Sequence, residues 1–302
     1  MSLETMKIRL KADAEQIEFF LQHCLEQVDM PARLKESMLY SLMAGGKRLR
    51  PVLCIAVAEL FGARREEVLP FAAGLEFIHT YSLVHDDLPA MDDDDLRRGK
   101  PTNHKVYGEA MAILTGDALL TEAFGLMAST ASSIPAERVL NALAHSAFSV
   151  GAVGMVGGQV LDLSHTEAKG AAQKGSLEDL MEIHARKTGA LICTSCVSGA
   201  ILAGASKKKC EAIAAWSTAL GSAFQIADDI LDEVSDTKTL GKPAGSDAAQ
   251  GKTTYPALLG IEKSRKLARE RANEAIAALA LFSGEHKNFL VDLTNYSVDR
   301  SF

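Results

Sequence analysis

Aromatic residues make up only 6% of the 302 residues, and no run alternates β-branched with polar side chains. Sheets draw on such residues to cover a pleated, half-buried surface, so a sandwich, a barrel or a parallel sheet is excluded as the organising element. Cysteine is sparse and odd in number: Cys24, Cys54, Cys193, Cys196 and Cys210. That excludes a disulfide scaffold and leads us to expect a reducing, cytoplasmic setting. Cys193 and Cys196 form a C-x-x-C, but no second pair completes a zinc site, so helical packing is expected of both. Basic residues are in deficit, 32 Lys and Arg against 39 Asp and Glu, for a net charge of −7. This argues against a general binder of nucleic acid or anionic membranes, so an anionic ligand needs a local basic cluster. The start of the chain, MSLETMKIRLKADAEQIEFF, has no apolar core of a signal peptide. One uncharged stretch, 188–206, just reaches membrane-spanning length. Its Gly, Ala, Ser, Thr and Cys suit a helix packed closely inside a protein, and no membrane span is expected.

What the chain does have is 47% hydrophobic residues, with Ala, Leu, Glu and Met recurring at helical spacing. Pro31, Pro51, Pro70, Pro101, Pro135, Pro243 and Pro256 fall where helices should start or stop, and only Pro89 sits awkwardly. Apolar periodicity predicts helices over roughly 51–61, 66–88, 107–130, 136–162, 177–204 and 208–235. Ser176 and Asp179 read as a capping box opening the fifth. Two Gly-, Ser-, Thr- and Lys-rich loops are expected, 163–175 and 236–254, the second long enough for a lid. No linker divides the chain, which reads as one all-α domain over residues 1–302.

Within this frame, residues 83–102 read LVHDDLPAMDDDDLRRGKPT, with six aspartates inside ten residues. Carboxylates this close repel unless solvent or a bound cation screens them. A second patch, FQIADDILDEVSD at 224–236, sets Asp228 and Asp232 on one helical face with Asp229 beside them. Asp86, Asp87 and Asp92 form a similar group, but six residues carry an ideal helix past one revolution. Pro89 would have to bend or end the helix to bring Asp92 back. Asp93, Asp94 and Asp95 read equally well as a solvated face.

Oxygen ligands without His or Cys indicate Mg²⁺ or Ca²⁺, and the EF-hand pattern is missing. Mg²⁺ takes one or two carboxylates and fills its octahedron with water and phosphate, so two acidic patches suggest a diphosphate bridged by several Mg²⁺. Basic residues at Gly and Pro turns offer anion contacts independent of metal. They are Lys47, Arg48 and Arg50 in GGKRLRP, Arg97, Arg98 and Lys100 in LRRGKP, then Lys187, Lys242 and Lys252. One anion on metal and one on Arg and Lys is a two-substrate arrangement.

HDDLPAMDDDDLRRGKP resembles the first aspartate-rich motif of the trans-isoprenyl diphosphate synthases, and QIADDILD their second. GGKRLRP, GGQVLD at 157–162, KTG at 187–189 and GKPAGSDAAQGKTTYP at 241–256 match further blocks in order, over about 35–265. Pro89 and Ala90 make a two-residue insertion that resembles bacterial farnesyl diphosphate synthases and plant-type geranylgeranyl enzymes. The resemblance implies a helical bundle around a deep central cavity, usually a homodimer, with Mg²⁺ (three ions, Mn²⁺ as a substitute). Asp86, Asp87, Asp92 and Asp228 would bind the metal on an allylic diphosphate, with Asp229 and Asp232 completing the second motif. Arg97 would contact that diphosphate and Arg98 the isopentenyl diphosphate, whose site Lys47, Arg50 and His79 complete. Lys187, Thr188, Gln225 and Lys242 would lie along the allylic substrate, and Lys252 would join Lys242 in the lid.

The chemistry then expected is ionisation of the allylic diphosphate and capture of the cation by isopentenyl diphosphate, with water shut out. No side chain reads as a dedicated base, so the released diphosphate is expected to take the proton. Product length should depend on Tyr81, roughly 7–8 Å deeper along the helix than Asp86, and on Ser82 beside it. In the family a bulky aromatic there goes with the C15 product, although an ideal wheel turns Tyr81 well away from Asp86. A geranylgeranyl synthase, a class I terpene cyclase and a non-catalytic prenyltransferase subunit are the alternatives.

Overall fold

The computed structural model describes residues 3–26, 28–168, 175–234 and 253–299, and most of these are helical. In chain order the helices are α1 (Leu3–His23), α2 (Ala32–Leu42), α3 (Leu49–Leu60), α4 (Arg65–Asp86), α5 (Asn103–Tyr107), α6 (Glu109–Ser129), α7 (Ala136–Val150) and α8 (Met155–Ala168). Then follow α9 (Leu177–His184), a π-helical turn (Ala185–Gly189), α10 (Ala190–Leu202), α11 (Lys207–Val234), α12 (Tyr255–Leu259), α13 (Ile261–Ala278) and α14 (Glu285–Asp299).

α3 and α10 are apolar on every side: Pro51 to Ala58 are all buried, as are nearly all of α10. A helix hydrophobic all round belongs inside, and these two sit at the centre, against α4, α7 and α11. Each large side chain buried there stabilises by roughly 1.5–3 kcal/mol. Trp216 of α11 is wholly buried and donates its indole N–H to Thr294 Oγ1 of α14 at 3.0 Å. The uncharged stretch 188–206 thus supplies a core helix, and Cys196 is buried in it with its thiol pushed up by burial. Two other helical stretches, Glu109–Ser132 and Ala136–His165, are long and apolar enough to cross a bilayer, each a third buried. Length and composition alone are weak evidence of a span, and both stretches pack within the bundle.

The expected segments need four corrections. The 136–162 segment is two helices, broken between Val150 and Met155, where Gly151 and Gly154 interrupt the ladder. The expected loop at 163–175 is helical up to Ala168, and 169–174 lie outside the described residues. Pro70 stands inside α4, where it costs one backbone bond but does not end the helix. The scarcity of strand signals also concealed a small antiparallel hairpin, β1 (Leu96–Arg97) with β2 (Lys100–Pro101), in which Arg97 pairs with Lys100. Its two-residue turn is Arg98–Gly99, both with positive φ (53° and 76°), as the tightest hairpins require. The Ser176–Asp179 capping box forms as read: Ser176 Oγ accepts from Asp179 N at 3.0 Å and Asp179 Oδ2 from Ser176 N at 3.1 Å.

Candidate active site

α4 stops at Asp86, short of Pro89, because the residue before a proline resists helical geometry. The chain then folds back on itself. Met91 N donates to Leu88 O at 2.8 Å and Asp92 N to Asp86 O at 2.9 Å, so Asp92 rejoins the end of the helix. A straight helix could not do this, and the bend at Pro89 achieves it. The Asp86 carboxyl is pushed up to about 6, chiefly by burial, with Lys187 opposing and the charge of Asp92 adding. Asp87 is buried too, and burial raises its carboxyl against the pull of Arg97.

The hairpin gives neighbouring arginines opposite tasks. Arg97 Nε donates to Asp87 Oδ1 at 3.0 Å, and its Nη2 reaches Asp94 Oδ2 at 3.1 Å. Arg98 Nη1 donates to the carbonyl of Gly45 in the GGKRLRP loop. Thr102 pins the hairpin through Oγ1 to Asp94 O at 2.7 Å. Of the later aspartates, Asp95 is exposed and paired with Lys105 at 2.7 Å, as a solvated face would be.

Lys187 approaches the acidic turn from the π-helical segment. Its Nζ donates to Asp162 Oδ2 at 2.7 Å, and the charges of Asp162 and Asp86 hold its ammonium proton on against burial. The π turn, one residue wider than an α turn, carries both Lys187 and Thr188. α8 reaches this turn through Gly158, where any Cβ would overlap the Lys187 backbone nitrogen.

Beside the acidic turn lies a cavity of about 390 Å³, lined by Lys47, Arg48, Arg50, Glu76, His79 and Arg98 among others. Arg50 Nε is buried there without a hydrogen-bond partner. Its guanidinium is lowered to about 10 by burial, with Glu76 opposing, Arg98 adding and Asp228 opposing. His79 is held well below its usual range by burial and by Arg50 and Arg98, so it is neutral.

On α11, Asp228 is near enough for its charge to act on Arg50, which brings the second patch to the same region. Asp229 is buried, its Oδ1 accepting from Gln225 Nε2 at 3.0 Å and its Oδ2 from Tyr255 N at 3.1 Å. Asp232 is buried one turn further on. Tyr81 is buried edge-on to His85, their centroids 5.8 Å apart, and His85 contacts the Ile113 carbonyl of α6 at 3.1 Å. Tyr81 thus packs against the residue that reaches α6, and burial, with the charge of Asp86 adding, raises its phenol. Ser82 Oγ donates to His79 O at 2.9 Å. Lys242, Lys252 and nearly all of the 236–254 loop lie outside the described residues. Sequence reasoning assigned no task to Asp162, Glu76 or His184; only the GGQVLD block pointed towards Asp162.

The polyprenyl synthetase family model matches residues 31–289. The chain is 48% identical over 266 residues to a chloroplastic geranylgeranyl pyrophosphate synthase of Catharanthus roseus, covering 88% of this chain and 73% of that one. It is 49% identical over 250 residues to the farnesyl diphosphate synthase of Bacillus subtilis (strain 168), covering 82% of this chain and 83% of that one. The apo crystal structure of an FPP/GFPP synthase from Zymomonas mobilis superposes with a TM-score of 0.85 at 36% identity, over 98% of this chain and 100% of that one. The fold is the all-α isoprenoid synthase fold, and the chain belongs to the polyprenyl synthetase family.

Proposed function

We propose that this chain condenses isopentenyl diphosphate head-to-tail with dimethylallyl or geranyl diphosphate, in a Mg²⁺-dependent reaction that stops at C15 farnesyl diphosphate. Family membership makes it a trans-prenyltransferase acting on prenyl diphosphates. The observation that carries the two-substrate reading is the hairpin. One tight turn directs Arg97 to the acidic cluster and Arg98 to the loop of the basic cavity, so two anions would bind side by side.

In this reading Asp86, Asp87, Asp92 and Asp228, with Asp229 and Asp232, hold the metal on the allylic diphosphate. The donors fit Mg²⁺: all are hard oxygens, and the Asp86 carboxyl, raised first by burial and then by the charges of Asp92 and Asp87, gains from a bound cation. Mg²⁺ fills most of its octahedron with water and phosphate oxygens, so the aspartates need supply only one or two ligands to each ion. Mg²⁺ held by these residues would neutralise charge building on the departing diphosphate. Arg97 and Lys187 supply fixed positive charge there, and Lys242 is assigned to the same substrate by the family resemblance alone. Lys47, Arg50, neutral His79 and Arg98 hold isopentenyl diphosphate with its alkene towards the allylic carbon, and Lys252 belongs with Lys242 to the expected lid. Thr188 and Gln225 turn oxygen dipoles to the allylic cation, and the released diphosphate takes the proton.

Tyr81, with Ser82, stops chain growth below the first acidic turn after three isoprene units. The Catharanthus relative favours a second reading, a C20 product. Assembly as a homodimer is supported by the apolar side chains that α6, α7 and α8 expose, among them Leu114, Leu140, Phe148 and Val160. A single domain is supported by one core cluster reaching from α1 to α14. Five free cysteines support a cytoplasmic setting. The test is incubation with Mg²⁺, isopentenyl diphosphate and either allylic starter. Linear C15 product supports the proposal, C20 the second reading, cyclised hydrocarbon a cyclase, and no product a non-catalytic subunit.

A further inference from the structure

Three cations stand close together in Lys47–Arg50, and they are not equivalent. Arg48 is only 2% exposed, and each nitrogen of its guanidinium is committed to the protein. Nη1 donates to Glu76 Oε1 at 2.9 Å, Nη2 to Leu42 O at 2.7 Å and Nε to Glu18 Oε1 at 3.1 Å. One side chain thereby ties α1, the last turn of α2 and α4 to the start of α3. Its own backbone has a φ of 50°, a left-handed conformation that L-residues with side chains rarely adopt. An anion entering the cavity could take Arg48 only by breaking these bonds.

The loop from Leu42 to Arg48 is therefore fixed at both ends by the same guanidinium. From outside, Arg98 donates to Gly45 O and lies so close over Gly46 that a Cβ there would overlap its guanidinium. Lys47 and Arg50 flank the inner clamp, and Arg50 Nε is left buried without a partner. Glu76 is itself only 2% exposed, one helical turn from His79, and it exerts the largest single charge effect on both Arg50 and Arg98. Three guanidiniums facing one small cavity repel, and a fixed carboxylate between them lets them converge before a ligand arrives.

We propose that Arg48 and Glu76 are positioning residues: a buried ion pair that sets the geometry of Lys47, Arg50 and Arg98 for the second diphosphate without touching it. This rests on the reading of the cavity as the isopentenyl diphosphate site. Buried ion pairs contribute little net stability, and replacing both partners by apolar residues of similar size is often neutral or stabilising. The proposal therefore separates stability from binding.

The test is the double variant Arg48→Met/Glu76→Met, which keeps the net charge, together with Arg48→Lys, which keeps the charge but loses the three-way fork. Both should melt near the wild-type temperature. Both should raise KM for isopentenyl diphosphate about tenfold or more while KM for geranyl diphosphate stays within about twofold. Calorimetry with inorganic diphosphate in the absence of metal should show a matching loss of affinity. A folded variant of either kind with unchanged KM and unchanged diphosphate affinity overturns the proposal; if the double variant fails to fold, Arg48→Lys alone decides. If wild type consumes no isopentenyl diphosphate, the functional reading fails instead, and diphosphate binding still judges the ion pair.

Discussion

Lys187 is held at the acidic turn by Asp162, whose Oδ2 accepts from Nζ at 2.7 Å, while Asp86 also holds the ammonium charged. The ammonium of lysine sits on a flexible stem with several rotatable bonds, so an anchor decides where the charge lies. Asp162→Asn should lower kcat/KM by about ten- to a hundredfold, mainly through the allylic substrate, with little change in melting temperature. Steady-state kinetics with geranyl diphosphate check this. A loss below about twofold would show that Lys187 needs no such anchor.

Tyr81 is the expected stop for chain growth. It is buried one turn before His85 and packs edge-on to that ring. Tyr81→Ala should open space below the first acidic turn and lengthen the product to C20 or beyond. Reversed-phase analysis of dephosphorylated products reads this directly, and an unchanged C15 product would remove Tyr81 from the role.

Leu140 and Phe148 lie two turns apart on α7 and are 66% and 65% exposed. Exposed apolar side chains of that kind are what the proposed homodimer would cover. Sedimentation should show two chains associated at micromolar concentration, and Leu140→Glu/Phe148→Glu should give single chains. Wild type sedimenting as one chain would contradict the proposed homodimer.

Burial lowers the His184 imidazole to about 4, with Asp162 opposing and Lys187 adding, while the unfolded chain titrates near 6.5. Below 6.5 the unfolded state therefore binds the extra proton. Stability due to neutral His184 is complete above 6.5 and is lost as pH falls towards 4. His184→Gln should flatten the pH dependence of urea unfolding in that window, by about 2 kcal/mol at pH 5. Asp86 titrates with the opposite sign, so only the difference between variant and wild type is diagnostic. Parallel pH profiles would exclude His184 as a source.

Much of this architecture was legible because it is local. Helical periodicity marked the central helices, the Ser176–Asp179 spacing marked a cap, and uncharged 188–206 marked a core helix. Pro89 marked the end of α4, but the return of Asp92 to the Asp86 carbonyl is a turn that no periodicity encodes. The π turn at 185–189 hides inside an unbroken helical pattern, and the close approach of Gly158 from another helix is a tertiary contact that the local sequence does not announce. The hairpin rests on two-residue strands too short to show alternation. Arg48 looks like its neighbours in sequence, and only its distant partners Glu18 and Glu76 set it apart. Asp229 likewise shows in sequence as one of a group of acids, and nothing there indicates that its carboxylate also accepts from Tyr255 N, 26 residues further on.

The most direct measurement follows product and metal dependence together: purified chain with Mg²⁺, isopentenyl diphosphate and geranyl diphosphate, then the same mixture with a chelator. Farnesyl diphosphate and released diphosphate are expected in the first case, neither in the second, and both again when Mg²⁺ or Mn²⁺ is returned in excess. Equal turnover after chelation, or no consumption of isopentenyl diphosphate at all, would contradict the proposed reaction.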